Sequence, residues 1–284
     1  MLTMTKNKSN GGLIAGIVAL VLVAIGLAGL LVFALIRFGG FSFGSFGFGS
    51  SDNLALEKEF ELEGINLISS TSGAADIHIT KGSDEKAKVK ILAESDYEVS
   101  AEKNENNFDV LVKNKCRFIC FGNKKSTIDI VLPENYSGDF KIRTDAGSIV
   151  VDDFEKSNFD VKADAGDFKY GKLKSIVLEI DAGKIDIDSA EKIDIKKDAG
   201  DLHIGECTGE LYVKSDAGNI DIDKLSLTHD SWITEDAGNI DIDEVGDVRV
   251  NIDKTIGNSD VRGGNPKSDI TLNIKTDVGN INIR

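Results

Sequence analysis

The sequence predicts an all-β fold, a repeat β-solenoid of about eight regular coils with divergent N-terminal coils or a cap, preceded by one transmembrane helix. Three observations predict it: a tripeptide that recurs at near-constant spacing, alternating apolar residues on both sides of it, and a long uncharged run near the N-terminus. The 284-residue chain therefore divides into a short cytoplasmic tail (1–12), the membrane helix (13–36), a Phe/Gly/Ser-rich tether (37–53), a divergent β region (54–133) and the β-repeat array (134–284).

The recurring tripeptide is Asp-Ala-Gly. Two degenerate copies, beginning at Thr255 and Asp277, extend the array to eight units, which begin 19, 17, 17, 18, 20, 19 and 22 residues apart. A fixed period in this range is typical of repeat architectures, in which one unit cannot bury its apolar face alone. The six intact copies begin at Asp145, Asp164, Asp181, Asp198, Asp216 and Asp236.

Alternating apolar positions flank each tripeptide. This period of two, rich in β-branched residues, indicates two short, half-buried strands per unit. Two and four places after the glycine lie Ile149/Val151, Phe168/Tyr170, Ile185/Ile187, Leu202/Ile204, Ile220/Ile222, Ile240/Ile242, Ser259/Val261 and Ile281/Ile283, a column that only Ser259 interrupts. Five and three places before the tripeptide lie Phe140/Ile142, Phe159/Val161, Ile176/Leu178, Ile193/Ile195, Leu211/Val213, Ser231/Ile233, Val250/Ile252 and Leu272/Ile274.

The tripeptide itself is predicted to be a corner between these two strands. The last inward residue before it and the first after it are seven positions apart, so the chain must bend there to keep both strands facing one core. Glycine accepts positive φ, and an aspartate carboxylate can accept backbone N–H bonds within the turn. We therefore expect the following structural turn residues: Asp145, Gly147, Asp164, Gly166, Asp181, Gly183, Asp198, Gly200, Asp216, Gly218, Asp236 and Gly238.

Two architectures fit such units. In a β-solenoid each strand stacks on its equivalent in the next coil, whereas in an antiparallel β-meander of repeated hairpins the two strands of one unit pair with each other. Short hairpin loops favour Asn-Gly or Asp-Gly, while three-residue corners joined by connections of variable length are typical of stacked coils. The sequence thus favours the solenoid.

Residues 13–36 form an uncharged apolar run of 24 residues, and about 20 are needed to cross a hydrocarbon core. A cleaved signal peptide is the alternative, but its apolar region would be shorter and no Ala-x-Ala cleavage site follows. Lys6 and Lys8 precede the run and favour an inside N-terminus. We expect a single-pass protein of the cell membrane with a cytoplasmic N-terminus and an extracytoplasmic C-terminal domain.

The charge of the chain limits its partners. From Asp52 onward it carries 30 basic and 48 acidic residues, a net charge of −18, which argues against binding to nucleic acid or to an anionic membrane surface. The tether between helix and domain is predicted to be flexible because of its Gly and Ser content, with its phenylalanines resting in the headgroup interface.

The two ends of the β region differ from its middle. Residues 54–133 contain alternating runs without the tripeptide and are read as divergent first coils or a cap, with a worn corner from Thr71 to Ile77. The chain stops at Arg284, inside the last strand. An unpaired C-terminal edge, available for self-association, is therefore expected.

Residues that could carry catalysis are sparse. His78, His203 and His229 are isolated in the sequence and are expected to be surface or turn residues. Cys116 and Cys120 would lie about 13 Å apart in a straight strand, so a disulfide between them requires a loop, and the pairing stays open. Cys207 is expected to be a buried structural thiol.

Outward aspartates are the one functional type that repeats. Like charges on stacked coils would repel each other, and a cation such as Ca²⁺ would relieve the repulsion, although Ca²⁺ needs about 6 to 8 oxygen ligands. A solvated acidic face without a cofactor is the preferred interpretation. The calcium candidates are Asp186, Asp188, Asp221, Asp223, Asp241 and Asp243.

The stretch Ile128-Asp-Ile-Val-Leu-Pro133, followed by Phe140 to Ile149 and then by tandem Gly-x-Ile-x-Ile units, resembles the bacterial putative-adhesin family of β-strand-repeat proteins, which includes LiaG-like envelope proteins. The resemblance covers residues 54–284. It implies an extracytoplasmic domain of a Gram-positive-type bacterium, tied to envelope stress, and it supplies no catalytic residues.

The expected function is therefore a non-enzymatic, adhesin-like or scaffold interaction surface at the cell envelope, with an unknown protein, peptide or glycan partner. The alternative is a carbohydrate-active β-solenoid enzyme that uses two outward aspartates as acid and base. Exposed aromatic residues beside two carboxylates would favour the enzyme, and the chain has one tryptophan, Trp232.

Overall fold

The structure is a computed structural model that describes residues 54–115 and 126–284. Within these residues all regular secondary structure is strand, so the predicted all-β class is confirmed. No helix in the described part is long and apolar enough to cross a membrane. The predicted tail, membrane helix and tether, together with Cys116 and Cys120, lie outside the described residues.

The described part contains seventeen strands, and β9 passes through the corners at Asp164 and Asp181 without a break. Their bounds are β1 (Leu54–Phe60), β2 (Leu67–Gly82), β3 (Ala87–Leu92), β4 (Tyr97–Asn104), β5 (Asn107–Asn114), β6 (Ser126–Pro133), β7 (Asp139–Ala146), β8 (Ile149–Val151), β9 (Phe154–Ala199), β10 (Leu202–Ala217), β11 (Ile220–Leu225), β12 (Ser231–Ala237), β13 (Ile240–Val245), β14 (Arg249–Ile256), β15 (Ser259–Val261), β16 (Thr271–Val278) and β17 (Ile281–Ile283).

Equivalent strands of neighbouring units pair in parallel and in register throughout the array. Leu202 of β10 pairs with Ile185 of β9 on one side and with Ile220 of β11 on the other, and Ile220 pairs in turn with Ile240 of β13. Each unit is therefore a coil that stacks on the next. This pairing excludes the antiparallel meander for the array, because a meander would pair the two strands of one unit with each other.

The two predicted apolar columns form the core. Their members are buried in every unit except the one whose corner begins at Thr255. In that unit Val250 and Ile252 are half-buried, while Ser259 and Val261 are exposed. The reason is that this coil has a neighbour on one side only, β16 and β17.

The divergent N-terminal region forms both an additional coil and a cap. Strand β2 forms one coil, next to β7 and β8. Strands β5 and β6 pair in parallel with the two halves of β2 on its other side and form the outer coil. Strands β4, β3 and β1 then add antiparallel pairs to that coil. The worn corner in β2 stacks on the first intact corner, since Ser72 pairs with Thr144 and Ile77 with Ile149.

The C-terminal coil does not stand at the end of the stack. Strand β16 pairs with β12 on one side and with β14 on the other, and β17 lies between β13 and β15 in the same way. The predicted unpaired edge at residues 281–284 is therefore wrong, because the last coil inserts between the two coils that precede it in sequence. At this end of the stack, the strands left with one neighbour are β14 and β15.

The corner glycines share a close contact between coils. Positive φ is not what they have in common: φ is 129° at Gly147 and 126° at Gly218, but Gly166 and Gly238 lie outside this left-handed range. At all eight corners, a Cβ built on the glycine would overlap a backbone carbonyl oxygen of the neighbouring coil. Glycine is required because the coils approach each other through their main chains.

Gly238→Ala isolates this contact, because Gly238 has no left-handed φ while its Cβ would overlap the carbonyl oxygen of Gly218. We expect a loss of about 1–3 kcal/mol in unfolding free energy, as for other overpacked sites, measured as a lower Tm of the full-length protein in detergent. Gly73→Ala is the matched control, since its Cβ would meet only the Asp145 carboxylate at 3.7 Å. Equal losses in both variants would contradict the stacking contact.

Candidate functional site

The six calcium candidates lie on one outward face, carried by the strand that follows each corner, and we call it the acidic face. They are not evenly stacked. Asp221 pairs directly with Asp241, but the coil that carries His203 separates Asp186 from Asp221. The predicted repulsion between like charges therefore applies to the coils of β11 and β13, and a histidine interrupts it on the next coil.

His203 bridges two of these aspartates. Its Nδ1 lies 2.9 Å from Asp186 Oδ1, and its Nε2 lies 3.2 Å from Asp223 Oδ1. The hydrogen bond with Asp186 is the largest influence on the ring and raises the pKa of His203 above 6.5, against partial burial, which lowers it. A protonated His203 thus places one positive charge inside the acidic face.

At the other end of the acidic face, side chains of the inserted C-terminal coil pair with two of the aspartates. Asn282 Nδ2 donates to Asp241 Oδ1 at 3.1 Å, and Arg284 pairs with Asp243 at 3.0 Å. Burial and, after it, the nearby charge of Asp241 raise the pKa of Asp221. No group of three or more His, Cys, Asp or Glu residues in the described ranges could hold a metal ion, so the geometry gives the calcium prediction no support.

The corner aspartates and the residues that cap the corners are different residues. All six aspartates of the intact tripeptides are exposed, and within the described chain no hydrogen bond joins their carboxylates to a turn. The expected capping is carried instead by the residue after the glycine, and it acts between coils. Backbone N–H groups of Asn219, Asn239, Asn280 and Asn258 donate in turn to the side-chain oxygens of Asp201, Asn219, Asn239 and Asn280, at 3.0 to 3.3 Å.

The strand that precedes each corner carries a second outward face of opposite character, which we call the basic face. Its cations outnumber its carboxylates by six to four. The cations are Lys141, Arg143, Lys162, Lys196, Lys214 and Lys275, and the carboxylates are Asp160, Glu179, Asp194 and Asp253. Arg143 Nη2 donates to both carboxylate oxygens of Asp160, at 2.8 and 2.9 Å. Glu179 lies between Lys162 and Lys196, at 3.2 and 3.4 Å, and the hydrogen bond with Lys162 is the main reason that the pKa of Glu179 is lowered.

An exposed aromatic pair lies on the basic face. The rings of Tyr212 and Trp232 stack with centroids 5.2 Å apart and planes 9° from parallel. The Lys192 ammonium lies 5.9 Å from the Tyr212 ring, and Trp232 is 42% exposed. Spacing alone could have placed both rings outward, because each lies between two inward positions. The aromatic pair and the aspartates proposed for the enzyme reading are on different faces, so the described residues do not combine them in one groove.

A buried polar seam runs along the inner side of the corners. Lys197, Ser215, Glu235 and Thr276 occupy the position just before the tripeptide in consecutive coils, and each is at most 1% exposed. Lys197 Nζ donates to the carbonyl oxygens of Gly200 and Ala217, at 2.6 and 3.2 Å. Burial raises the pKa of Glu235 and lowers that of Lys197, while the attraction between the two opposes both shifts.

The other residues that could carry catalytic chemistry, one cysteine and two histidines, make contacts typical of structural residues. Cys207 is a free, buried thiol whose pKa burial raises to about 11, so it is protonated and unreactive at neutral pH. His78 contacts Asp129 at 2.8 Å, and His229 contacts the hydroxyl of the adjacent Thr228 at 2.9 Å.

Comparison with known proteins settles the family. Residues 65–284 match the family described as Toastrack DUF4097. The chain belongs to this family. The match spans strands β2 to β6 as well as the whole repeat array. It confirms the resemblance recognised in the sequence. A search of curated proteins gives no match.

Solved structures similar to this Toastrack chain include three bacterial proteins. They are a putative cell adhesion protein from Clostridium sporogenes (18% identity, TM-score 0.24, covering 80% of this chain and 98% of that one), a putative adhesin from Bacteroides fragilis (14%, 0.40, 82% and 98%) and a putative adhesin from Parabacteroides merdae (9%, 0.38, 81% and 95%).

His203→Gln should lower the stability of the Toastrack domain in a pH-dependent way. Because the folded-state pKa of His203 is raised, its stabilising contribution is complete below its ordinary pKa and is lost as pH rises through the folded value. We expect a deficit below about 1 kcal/mol near pH 5.5 that shrinks toward pH 8, as for a partly exposed pair. Urea unfolding at several pH values measures it. His229→Gln is the control, and the same pH dependence there would argue against the bridge.

Lys197→Met and Glu235→Leu test the buried seam. Each single variant leaves the other ionisable group buried with less compensation, and we expect a loss of roughly 3 kcal/mol in unfolding free energy. The double variant continues the apolar column set by Ala163 and Ile180, so it should lose clearly less than the sum of the two. Denaturant unfolding of all four proteins gives the coupling. Strict additivity would mean that the two side chains act independently.

Proposed function

We propose that this chain is a non-enzymatic, single-pass membrane protein whose Toastrack domain acts as an adhesin-like or scaffold interaction surface at the bacterial cell envelope, with a role in envelope stress. The observation that carries the proposal is the presence of two long outward faces, one acidic and one mainly basic, on a single stacked core. Both faces consist of rows of side chains from consecutive coils.

The regular spacing of these rows favours an extended partner. Stacked strands lie about 4.8 Å apart, so each face repeats its polar groups at this interval over many coils. The main-chain contacts at the corners and the ladder from Asp201 to Asn258 hold the rows in register. A partner with its own repeat, such as a polymer of the envelope, can contact several coils at once, and many weak contacts then add up.

The membrane location rests on the sequence. The uncharged run 13–36 supports a membrane anchor, and Lys6 and Lys8 support an inside N-terminus. Self-association is proposed at β14 and β15 rather than at the C-terminus, since these strands have a neighbour on one side only. Their outward charges are mixed, with Arg249 and Asp253 on β14, so a second copy would meet less repulsion there than at the acidic face.

Protease treatment of intact cells tests the location. A tag placed after Arg284 should be lost when cells are treated with an external protease, because the domain is proposed to lie outside. A tag before Met1 should survive until the cells are lysed. Protection of both tags in intact cells would contradict the proposed topology.

Cross-linking in intact cells tests the interaction role itself. The full-length chain is compared with a variant in which Lys162, Lys196 and Lys214 are replaced by glutamine, a change confined to exposed side chains. We expect envelope material to be cross-linked to the natural chain and much less to the variant. Release of small products from envelope polymers by the purified chain would instead favour the enzyme.

A further inference from the structure

The exposed face of Trp232 offers a place for a ligand that neither the family nor the charge pattern assigns. Tyr212 covers one face of the indole, since the two rings are stacked and nearly parallel along the direction in which the coils stack. The opposite face of the indole therefore points toward the next coil in the stack. On that coil the residue in register with Trp232 is Asn273, and Asn251 follows on the terminal coil.

Along this row of coils, two large rings are followed by two shorter side chains, Asn273 and Asn251. The change in side-chain length leaves a step in the surface. A shallow groove of about 170 Å³ lies there, lined by Trp232, Thr234, Asn251, Asp253, Asn273 and Lys275. Its walls come from β12, β16 and β14, and the insertion of the C-terminal coil places β16 between the other two. The volume suits one or two rings rather than a large organic ligand, because typical small-molecule sites measure about 300–1,000 Å³.

The polar groups of the groove are available to a ligand. Asn251 Nδ2 donates to Asn273 Oδ1 at 3.1 Å, and within the described residues Asn273 Nδ2 donates to no protein group. Lys275 and Asp253 lie in register on adjacent strands, yet no ion pair joins them to each other or to another described residue. The groove thus combines an apolar ring face with free donors and acceptors around it.

We propose that this groove binds a neutral oligosaccharide, with one pyranose ring stacked on the free face of Trp232 and its hydroxyl groups bonded to Asn273, Lys275 and Asp253. A pyranose ring has C–H groups on its face and hydroxyls around its rim, and the negative face of an indole attracts such C–H groups. Lys275 and Asp253 offset each other, which favours a ligand without net charge. This inference rests on the proposed interaction role and names the chemistry of its partner.

A peptide is the main competing occupant. Aromatic grooves also bind polyproline segments, but those grooves are mostly apolar between their aromatic ridges. Here the side chains beside Trp232 are amides, a hydroxyl and two charges, and the isoleucines of the same strands point inward. Polar groups that surround a single ring favour a sugar.

The fluorescence of Trp232 reports directly on the groove, because it is the one tryptophan in the chain. The full-length protein, in a detergent without a sugar headgroup, is titrated with chitohexaose, with cellohexaose and with a decaproline peptide. We expect a saturable change in emission with at least one of the two oligosaccharides. The absence of a change with both, or a change with decaproline alone, would overturn the inference.

Three variants of the same coil locate the binding. Asn273→Phe fills the space beside Trp232 and should weaken oligosaccharide binding by roughly tenfold or more, the effect of losing a stacking contact and its hydrogen bond. Asn282→Phe introduces the same side chain on the acidic face of that coil and should leave the affinity unchanged. Lys275→Ala, an exposed rim substitution, provides a second test that does not alter the packing, and it should weaken binding several-fold.

Equal affinity of Asn273→Phe and the natural chain would also overturn the inference.

Failure of this inference can be distinguished from failure of the proposed function. Protection of the C-terminal tag in intact cells would contradict the envelope location without affecting the titration. If the titration gave no change in Trp232 emission while cross-linking in cells was normal, the oligosaccharide site would be rejected and the proposed interaction role would stand.

Discussion

The main-chain contact between corner glycines is the constraint on which the rest of the array depends. At each corner a carbonyl oxygen of one coil occupies the space in which the Cβ of the next would lie. Coils held this closely must stay in register, so the residue after each glycine falls beside its equivalent and the asparagine ladder can form. The same register sorts every other residue into a row that faces either the core or the solvent. The corner aspartates, by contrast, are exposed, and within the described residues no hydrogen bond joins their carboxylates to a turn, which suits solubility more than folding.

Because all corners are alike, the order of coils in the stack need not follow the order in the sequence. The chain departs from that order at both ends. The coil of β5 and β6 lies outside β2, and the last coil, β16 and β17, lies between β12/β13 and β14/β15. Both arrangements place a polar or divergent coil outermost. Ser259, which interrupts an inward column, is tolerable on an outer coil, while Leu272, Ile274 and Ile281 are buried between neighbours on both sides.

This explains what the sequence could and could not predict. Period-two alternation identified the core residues, and the tripeptide identified the corners, since both signals are local. The position of the last coil was not predictable, because β14 and β16 carry equivalent patterns and only Ser259 indicated that its coil was unusual. The bridge from Asp186 through His203 to Asp223 was missed for a related reason. Residues of three coils take part in it, and neither histidine nor aspartate reveals its neighbours until the register is known. The membrane helix stays a prediction and the pairing of Cys116 with Cys120 stays open, as these residues lie outside the described ranges.

The exchange of coils at the C-terminus also determines what the surface can recognise. If the coils followed the sequence, Trp232 would face Asn251 directly and Asn273 would lie on the outer coil. Insertion of β16 instead places Asn273 next to the indole and leaves Asn251 on the outer coil, with Lys275 and Asp253 in register on the same two strands. A ligand that stacks on Trp232 therefore contacts residues from both of the coils that changed places. A ligand whose affinity depends on which amide lies next to Trp232 would stabilise one order of coils over the other, because a ligand favours whichever arrangement binds it more tightly. The feature of the fold that local sequence could not specify thus decides that Asn273 and Lys275, rather than Asn251 and Asp253, lie nearest the indole.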